Sequence, residues 1–151
     1  MFAGEYYCKL DEKGRFPLPQ PFRDQLDADD QGNGGRSIVF LKGQERSLWM
    51  YGITRWKEIL ERTRERLDED QSRLFMHFVV SDAAESELDK AGRVLIPKKL
   101  REYAHIATEE EVTVIGLYDR VEVWTTGEWK QYLTQVEEKY ETALSKILNV
   151  M

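Results

Sequence analysis

Apolar and polar positions follow the same order in two segments of the chain. Residues 10–19 (LDEKGRFPLP) return as residues 88–97 (LDKAGRVLIP), and both segments run on to an apolar residue followed by arginine. A repeat of this kind indicates a duplicated unit. Because each copy, at roughly 70 residues, is near the size at which one core is marginal, we expect the copies to share a core and to be related by a pseudo-two-fold axis.

A second correspondence lies further along each copy. Gly43 and Trp56 in the first copy match Gly116 and Trp129 in the second, and each tryptophan is followed by lysine. The spacing between copies is shorter here than at the repeated segments, which indicates an insertion in the first copy. The glycine-rich stretch 29–37 (DDQGNGGRS) is the obvious place for it.

Each repeated segment is predicted to be a turn between two strands. Gly14 and Gly92 can adopt the positive φ that a tight turn needs, and Asp11 and Asp89 can accept backbone N–H groups across it. We therefore expect each segment to form a β-hairpin or a ribbon tip. The strands predicted beside the turns are Tyr6–Leu10, Arg15–Leu18, Ala84–Leu88 and Arg93–Ile96.

A proline ends the second strand of each segment and suits the first turn of a helix. Short helices are accordingly predicted at Gln20–Leu26 and Lys98–Ala104. Further apolar stretches predict one more strand pair after each short helix. These pairs are Ile38–Leu41 with Leu48–Tyr51, and Val112–Gly116 with Val121–Trp124.

Apolar residues at helical spacing predict longer helices late in each copy. One begins at Thr54, and the other begins at Thr126 or Gly127 and carries an apolar stripe as far as Met151. Residues 74–80 (LFMHFVV) are also placed in a helix.

The order strand, strand, short helix, strand, strand, helix therefore occurs twice. It lacks the strand–helix–strand spacing of a parallel sheet, so the predicted fold class is α+β. We divide the chain into a first repeat (1–53), a linking helical segment (54–80), a second repeat (81–127) and a C-terminal amphipathic helix (128–151).

Composition narrows the class of protein. The 151 residues are 41% hydrophobic, and no apolar stretch is long enough to span a membrane. A single cysteine excludes an internal disulfide, and the N-terminus has neither the basic nor the apolar region of a signal peptide. We therefore expect a cytoplasmic protein with no membrane partner.

The net charge of −6 argues at first against a nucleic-acid partner. The charges are segregated, however. Residues 89–101 contain five basic residues and one acid, whereas acids gather in stretches such as 27–30 and 109–111. This distribution permits a basic binding face on an acidic body.

The repeated turns supply candidate DNA-binding residues. An arginine directly after a glycine turn projects from the end of a ribbon, and the major groove admits a two-stranded ribbon. Arg15 and Arg93 are therefore candidates for bidentate contact with guanine. The candidates for phosphate contact are Lys13, Lys90, Lys98 and Lys99, while Arg23 and Arg101 suit either purpose.

A structural role is the alternative for the same turns. Asp11 with Arg15, and Asp89 with Arg93, can form ion pairs that only stabilise the turn, and exposed ion pairs are worth about 0–1 kcal/mol. The aspartate, glycine and arginine are retained in both copies although the two positions after arginine differ. This retention favours a binding role.

Other chemistry has little support in the sequence. His77 and His105 are the only histidines, and neither has Cys or His neighbours at metal-ligand spacing, so no metal is expected. Residues 32–35 (GNGG) lack the Lys-Ser/Thr of a phosphate-binding loop, and no dinucleotide or nucleophile-elbow motif is present. We expect no catalytic residue, no cofactor and no small-molecule substrate.

As a set, these motifs resemble the MraZ family of bacterial transcriptional regulators. The resemblance rests on the N-terminal Met1-Phe2-x-Gly4-Glu5-Tyr6, the two Asp-x-x-Gly-Arg turns and the Trp-Lys that opens each late helix, and it covers nearly the whole chain. It implies two AbrB-like swapped-hairpin, β-barrel-like half-domains that form a pseudo-dimer, each followed by a helix.

The resemblance also implies a function and partners. It implies binding to short direct repeats in double-stranded DNA upstream of the division and cell-wall gene cluster, including the protein's own promoter. A family Asp-x-x-x-Arg motif associated with DNA binding falls here on Asp11 and Arg15 and on Asp89 and Arg93. Further copies of the chain, in a ring-shaped homo-oligomer, and association with the nucleoid are also implied.

The two copies differ where phosphate contacts are expected. Pro17 lacks the backbone donor that Leu95 has, which indicates an edge position or a shortened strand. Gln20 and Pro21 stand where the second copy has two lysines. We therefore expect the second turn to bind phosphate more strongly.

Two other functions stay open at this point. Basic ribbons can dock an acidic protein, which would make the chain a scaffold, and an AbrB-like antitoxin neutralises a toxin with its C-terminal segment. The apolar stripe after Glu128 is longer than one half-domain can cover, so we expect part of it to pack on another copy.

Overall fold

The computed structural model describes residues 1–151 and contains two blocks of elements in similar order. The first block comprises β1 (Phe2–Lys9), β2 (Arg15–Pro17), α1 (Gln20–Asp29), β3 (Ser37–Lys42), β4 (Leu48–Gly52), α2 (Ile53–Arg66) and α3 (Glu69–Phe78). The second comprises β5 (Ala84–Glu87), β6 (Arg93–Leu95), α4 (Lys98–Tyr103), β7 (Glu111–Tyr118), β8 (Arg120–Thr125) and α5 (Thr126–Val150). Short 3₁₀ turns lie at Gln44–Arg46 and Val80–Asp82.

Six strands form one antiparallel sheet, and the remaining two form a separate ribbon. The sheet has the order β1-β7-β8-β4-β3-β5, and the ribbon pairs β2 with β6. The mixture of helices and antiparallel strands agrees with the predicted α+β class. The predicted pairs β3–β4 and β7–β8 are confirmed.

The strands beside each repeated turn do not pair with each other, so the prediction of a hairpin at each turn is wrong. β1 pairs with β7, β5 pairs with β3, and the ribbon joins Phe16 to Val94. The first turn is closed only locally, where the N–H of Asp11 donates to the carbonyl of Arg15 at 2.8 Å. Beyond it Pro17 has no N–H for a local ladder, whereas pairing between copies buries Phe16 and Val94 completely.

Hydrogen bonds also run from each copy to the turn of the other. The N–H of Leu18 donates to the carbonyl of Gly92, and the N–H of Ile96 donates to that of Gly14, both at 3.0 Å. The two repeated segments alternate between buried and exposed positions in the same order. The two copies therefore hold each other's turns in place.

The predicted sharing of one core is confirmed. A hydrophobic cluster of 21 buried residues draws on both copies. Phe16, Phe22 and Phe40 from the first copy lie in it together with Val94 and Leu100 from the second. Since both copies contribute to one cluster, neither can lose its core residues without affecting the other.

Two helices differ in length from the prediction. α1 continues as far as Asp29, and α3 begins at Glu69, earlier than expected, because Asp68 and Gln71 form a capping box there. α3 then ends at Phe78, before the 3₁₀ turn.

The long helices are attached to the sheet by their tryptophans. Trp56 of α2 stacks on Tyr51 with ring centroids 6.0 Å apart, and Trp129 of α5 lies 5.3 Å from Trp124. Beyond this attachment α5 carries an exposed apolar stripe that passes a kink at Tyr140. It is formed by Leu133, Tyr140, Leu144 and Ile147 and is followed by Met151 directly after the end of the helix. No helix has both the length and the apolar character needed to cross a membrane.

Phe16→Ala is expected to lower the free energy of unfolding by about 3–5 kcal/mol, because a fully buried ring of the shared core is removed. The loss should occur in one transition, seen alike by far-UV circular dichroism and tryptophan fluorescence during urea unfolding. Phe78→Ala, at a ring that is 68% exposed, is the control and should change stability little. Two separate transitions in the wild type would contradict a shared core.

Candidate nucleic-acid interface

The two repeated turns have the same internal hydrogen bonds. Oδ1 of Asp11 accepts the N–H groups of Lys13 and Arg15, both at 2.9 Å. Oδ1 of Asp89 accepts those of Ala91 and Arg93, at 2.9 and 2.8 Å. The predicted role of the two aspartates, as acceptors of backbone N–H groups across a glycine turn, is thus present in the structure.

The arginine of each turn is held by its own aspartate. Nε of Arg15 lies 2.8 Å from Oδ2 of Asp11, and Nε of Arg93 lies 2.8 Å from Oδ2 of Asp89. The terminal nitrogens of both guanidinium groups make no hydrogen bond within the chain, and the two side chains are 25% and 40% exposed. The ion pair therefore orients each guanidinium and leaves its outer edge available, so a turn-stabilising role and a binding role are compatible.

The β2–β6 ribbon brings the two turns together on one surface. Pro17 lies opposite Arg93 in the ribbon, and Arg15 lies opposite Leu95. Nη1 of Arg93 reaches to 3.9 Å from Oδ2 of Asp11 in the other turn. The two arginines thus lie within one cluster of alternating charge.

The arginine within each short helix packs on the turn of the other copy. A Cβ atom at Gly14 would lie 2.7 Å from Nε of Arg101, and one at Gly92 would lie 2.2 Å from Nη1 of Arg23. Both glycines also have positive φ, of 86° and 78°. Glycine is therefore favoured by the turn, as predicted, and also by the close approach of a guanidinium, which the sequence did not indicate.

The candidate lysines are in different surroundings. Lys13 and Lys90 are exposed at the tips of the turns and make no ion pair. Lys98 is 80% exposed and lies 3.9 Å from a carboxylate of Glu102. Lys99 instead forms an ion pair with Asp82, whose other oxygen lies 2.9 Å from Nζ of a further lysine of β3. Lys99 is thus the one candidate lysine whose ion-pair partner, Asp82, is mostly buried.

The aspartates of the turns are acids of unusual strength. The backbone N–H of Arg15, and then its guanidinium and the N–H of Lys13, lower the pKa of Asp11 to about 2. The backbone N–H of Arg93 and its guanidinium likewise hold the pKa of Asp89 below its ordinary value. Both carboxylates are therefore ionised wherever the protein is folded at ordinary pH.

One further basic residue lies at this surface although the sequence did not single it out. Arg36, at the end of the inserted stretch, donates from Nη2 to the carbonyl of Leu88 at 3.1 Å. Its position beside the second turn depends on the path of the inserted loop, for which the sequence gives no local signal. The structure contains no group of three or more potential metal ligands.

Asp11→Asn should reduce stability in a pH-dependent way. Because the folded-state pKa is lowered from the ordinary value of about 3.9, the carboxylate stabilises the folded state above that value and loses this effect as the pH falls towards about 2. The difference in free energy of unfolding between wild type and variant should therefore be constant above about pH 5 and shrink between about pH 4 and 2. Urea unfolding at a series of pH values measures it.

Glu12→Gln is the control for this prediction, since Glu12 is exposed in the same turn and makes no ion pair. The difference in free energy of unfolding between Glu12→Gln and wild type should not contain the contribution of the ion pair between Asp11 and Arg15. A pH-independent effect of Asp11→Asn would contradict the importance of the ionised carboxylate.

Comparison with known proteins assigns the chain to a family. The family model for the MraZ protein, described as antitoxin-like, matches residues 1–78 and again residues 79–149. Proteins named "Transcriptional regulator MraZ" are similar over their full length. The one from Moorella thermoacetica is 35% identical over 99% of this chain and 98% of its own, and the one from Pelotomaculum thermopropionicum is 38% identical over 99% and 97%.

A relative from Desulforamulus reducens, of the same name, is 36% identical over 100% of both chains. Among solved structures, the solution structure of PHS018 from Pyrococcus horikoshii is similar over 78% of this chain and 91% of its own, at 15% identity and a TM-score of 0.34. The doubled match of the family model coincides with the two copies seen in the sequence and in the strand order. The chain therefore belongs to the MraZ family.

Proposed function

We propose that this protein is a sequence-specific DNA-binding transcriptional regulator that reads bases with Arg15 and Arg93. The observation that carries the proposal is the arrangement of these two arginines on one surface. Each is oriented by an aspartate through Nε, and its terminal nitrogens make no hydrogen bond within the chain. The name shared by the relatives supports the same function.

The ribbon suits the dimensions of its proposed site. The major groove admits a two-stranded β-ribbon, and the two terminal edges of the guanidinium groups match the O6 and N7 acceptors of guanine. Lys13, Lys90 and Lys98 are exposed and can neutralise phosphates on either side, whereas Lys99 would first have to leave Asp82. Arg23 and Arg101 pack against the turns and contact DNA bases or phosphates at the margins of the turns.

The proposal includes a finer account of the architecture. Residues 1–53 and 81–127 form two AbrB-like swapped-hairpin, barrel-like half-domains that make a pseudo-dimer, residues 54–80 link them, and residues 128–151 serve assembly. The reciprocal bonds from Leu18 and Ile96 to the opposite turns support this account. Two equivalent turns in one chain then contact neighbouring base pairs.

Assembly is part of the proposed mechanism. The exposed stripe of α5 pairs with the same stripe of another copy, because these large apolar side chains are otherwise left in water. A ring-shaped homo-oligomer can engage several direct repeats at once, and this multivalency raises affinity at cellular salt. We propose the promoter upstream of the division and cell-wall gene cluster, which includes the protein's own gene, as the target and nucleoid association as the consequence.

Arg93→Ala should weaken binding to DNA from upstream of the protein's own gene by about 1–3 kcal/mol and relax preference at one base position. Arg93→Lys keeps the charge but loses the fork of donors, so it should restore non-specific affinity without restoring base preference. Fluorescence anisotropy with matched and scrambled duplexes measures both effects. Equal affinity of the wild type and of Arg15→Ala/Arg93→Ala for the upstream duplex would exclude these arginines from the mechanism.

Lys98→Ala should weaken binding to every duplex alike and reduce the slope of log K against log salt by about 1, because one phosphate contact is lost. Lys57→Ala, at an exposed lysine of α2, is the matched control and should leave the slope unchanged. A flat salt dependence of the wild type would instead favour the scaffold function.

A further inference from the structure

A small basic pocket lies between the inserted loop of the first copy and the turn of the second. Its volume is about 160 Å³. Three cationic side chains line it, and three glycines leave it open. The lining cations are Arg23, Arg36 and Lys90, and the glycines are Gly34, Gly35 and Gly92.

Arg23 has an unused donor at this pocket. Its Nε is buried and has no hydrogen-bond partner. The equivalent Nε of Arg101, in the other copy, donates to the carbonyl of Ile96 at 3.0 Å. This Nε is closed off from solvent, so an acceptor from outside the chain can reach Arg23 only at its terminal nitrogens, which make no hydrogen bond within the chain.

Arg36 is held at the pocket by its side chain and by its backbone, both of which bond to Leu88. Its guanidinium donates to the carbonyl of Leu88, and its own carbonyl accepts the N–H of Leu88 at 2.9 Å. Nη1 of Arg36 makes no hydrogen bond within the chain. One edge of this guanidinium is therefore positioned while the other is free to bind an anion.

The loop supplies space for the anion and does not supply its donors. The N–H of Gly34 donates to Asp27 at 2.9 Å, and the N–H of Gly35 donates to Asp30 at 3.1 Å. Gly35 has a φ of +44°, and a Cβ there would lie 2.3 Å from the carbonyl oxygen of Leu26. The attraction must therefore come from the three cations.

The side chains that line the pocket have a positive net charge. They are three cations and the carboxylate of Asp89, which is already bonded to Arg93. The carboxylates of Asp27 and Asp30 lie next to this lining and accept the N–H groups of Gly34 and Gly35. A water molecule takes about 30 Å³ of liquid volume, so the pocket has room for one phosphate group with part of its hydration shell.

The segment beside the first turn differs in charge. The N–H of Leu10 donates to the carbonyl of Glu110 at 2.9 Å, as the N–H of Leu88 does to that of Arg36. The equivalent position therefore carries an acid in one copy and a base in the other. A cation at this position lies beside the second turn and not beside the first.

We propose that this pocket binds one phosphate of the DNA backbone, with Arg36 as a phosphate-positioning residue, a proposal that rests on the proposed function. The bound phosphodiester oxygens accept from the terminal nitrogens of Arg23, from the free edge of Arg36 and from Nζ of Lys90. The contact fixes the second turn on the duplex more firmly than the first, and thereby sets the direction in which each copy of the chain reads its repeat.

Arg36→Gln tests the contact with DNA, because glutamine keeps a donor for Leu88 and removes the charge. We expect affinity for the upstream duplex to fall about tenfold at low salt and the slope of log K against log salt to fall by about 1. Arg64→Gln makes the same change of charge on α2, outside the pocket, and should leave both quantities unchanged. Thermal unfolding of both variants checks that they are folded.

A titration of the wild type with inorganic phosphate tests the pocket directly. The Nε–Hε resonance of Arg23, assigned by its loss in Arg23→Lys, should shift and saturate with phosphate and should not do so with chloride at equal ionic strength. If Arg36→Gln does not fold, this titration alone tests whether the pocket binds phosphate.

The outcomes separate the two proposals. Wild-type binding to the duplex together with equal affinities and slopes for Arg36→Gln and Arg64→Gln would overturn the phosphate pocket and leave the proposed function standing. A resonance of Arg23 that does not respond to phosphate would overturn it in the same way. Failure of the wild type to bind any duplex would overturn the proposed function and also the proposal that the pocket binds a phosphate of DNA.

Discussion

Each turn of this protein is completed by the copy to which it does not belong. The arginine within each short helix reaches the opposite glycine, and a backbone N–H next to the ribbon donates to the carbonyl of that same glycine. Without these contacts no arginine would pack on Gly14 and Gly92, and β2 would lose its register with β6. The common surface of Arg15 and Arg93 depends on that register, so the candidate DNA-binding face is a property of the pair of copies and of neither alone.

Features that depend on neighbouring residues could be predicted from the sequence, whereas the pairing of distant strands at the turns could not. The glycine turns, their aspartate acceptors and the helices after Pro19 and Pro97 follow from local chemistry, and they lie where the repeated segments indicate. The strands beside the turns were assigned to the wrong partners, since a three-residue strand carries no signal of the strand it pairs with. The shared core followed from the size of each copy, which is a global argument and independent of register.

The candidate site shows the same division. That arginine follows glycine in both turns is visible in the sequence, but the engagement of Lys99 by Asp82 and the arrival of Arg36 at the second turn depend on how loops far apart in the chain are folded. The strands and turns of the two copies are arranged alike, but one equivalent position carries the acid Glu110 in the second copy and the base Arg36 in the first.

The pairing of β1 with β7 and of β2 with β6 has a consequence for biosynthesis. When the ribosome has released only the first copy, neither β1 nor β2 has a partner strand, and Phe16 has no apolar neighbour from the second copy to cover it. Structure at the N-terminus must therefore wait until residues 111–118 have emerged, which makes folding a late, long-range event of high contact order. A nascent chain of this kind exposes apolar surface for most of its synthesis and is a natural client for chaperones that bind during translation.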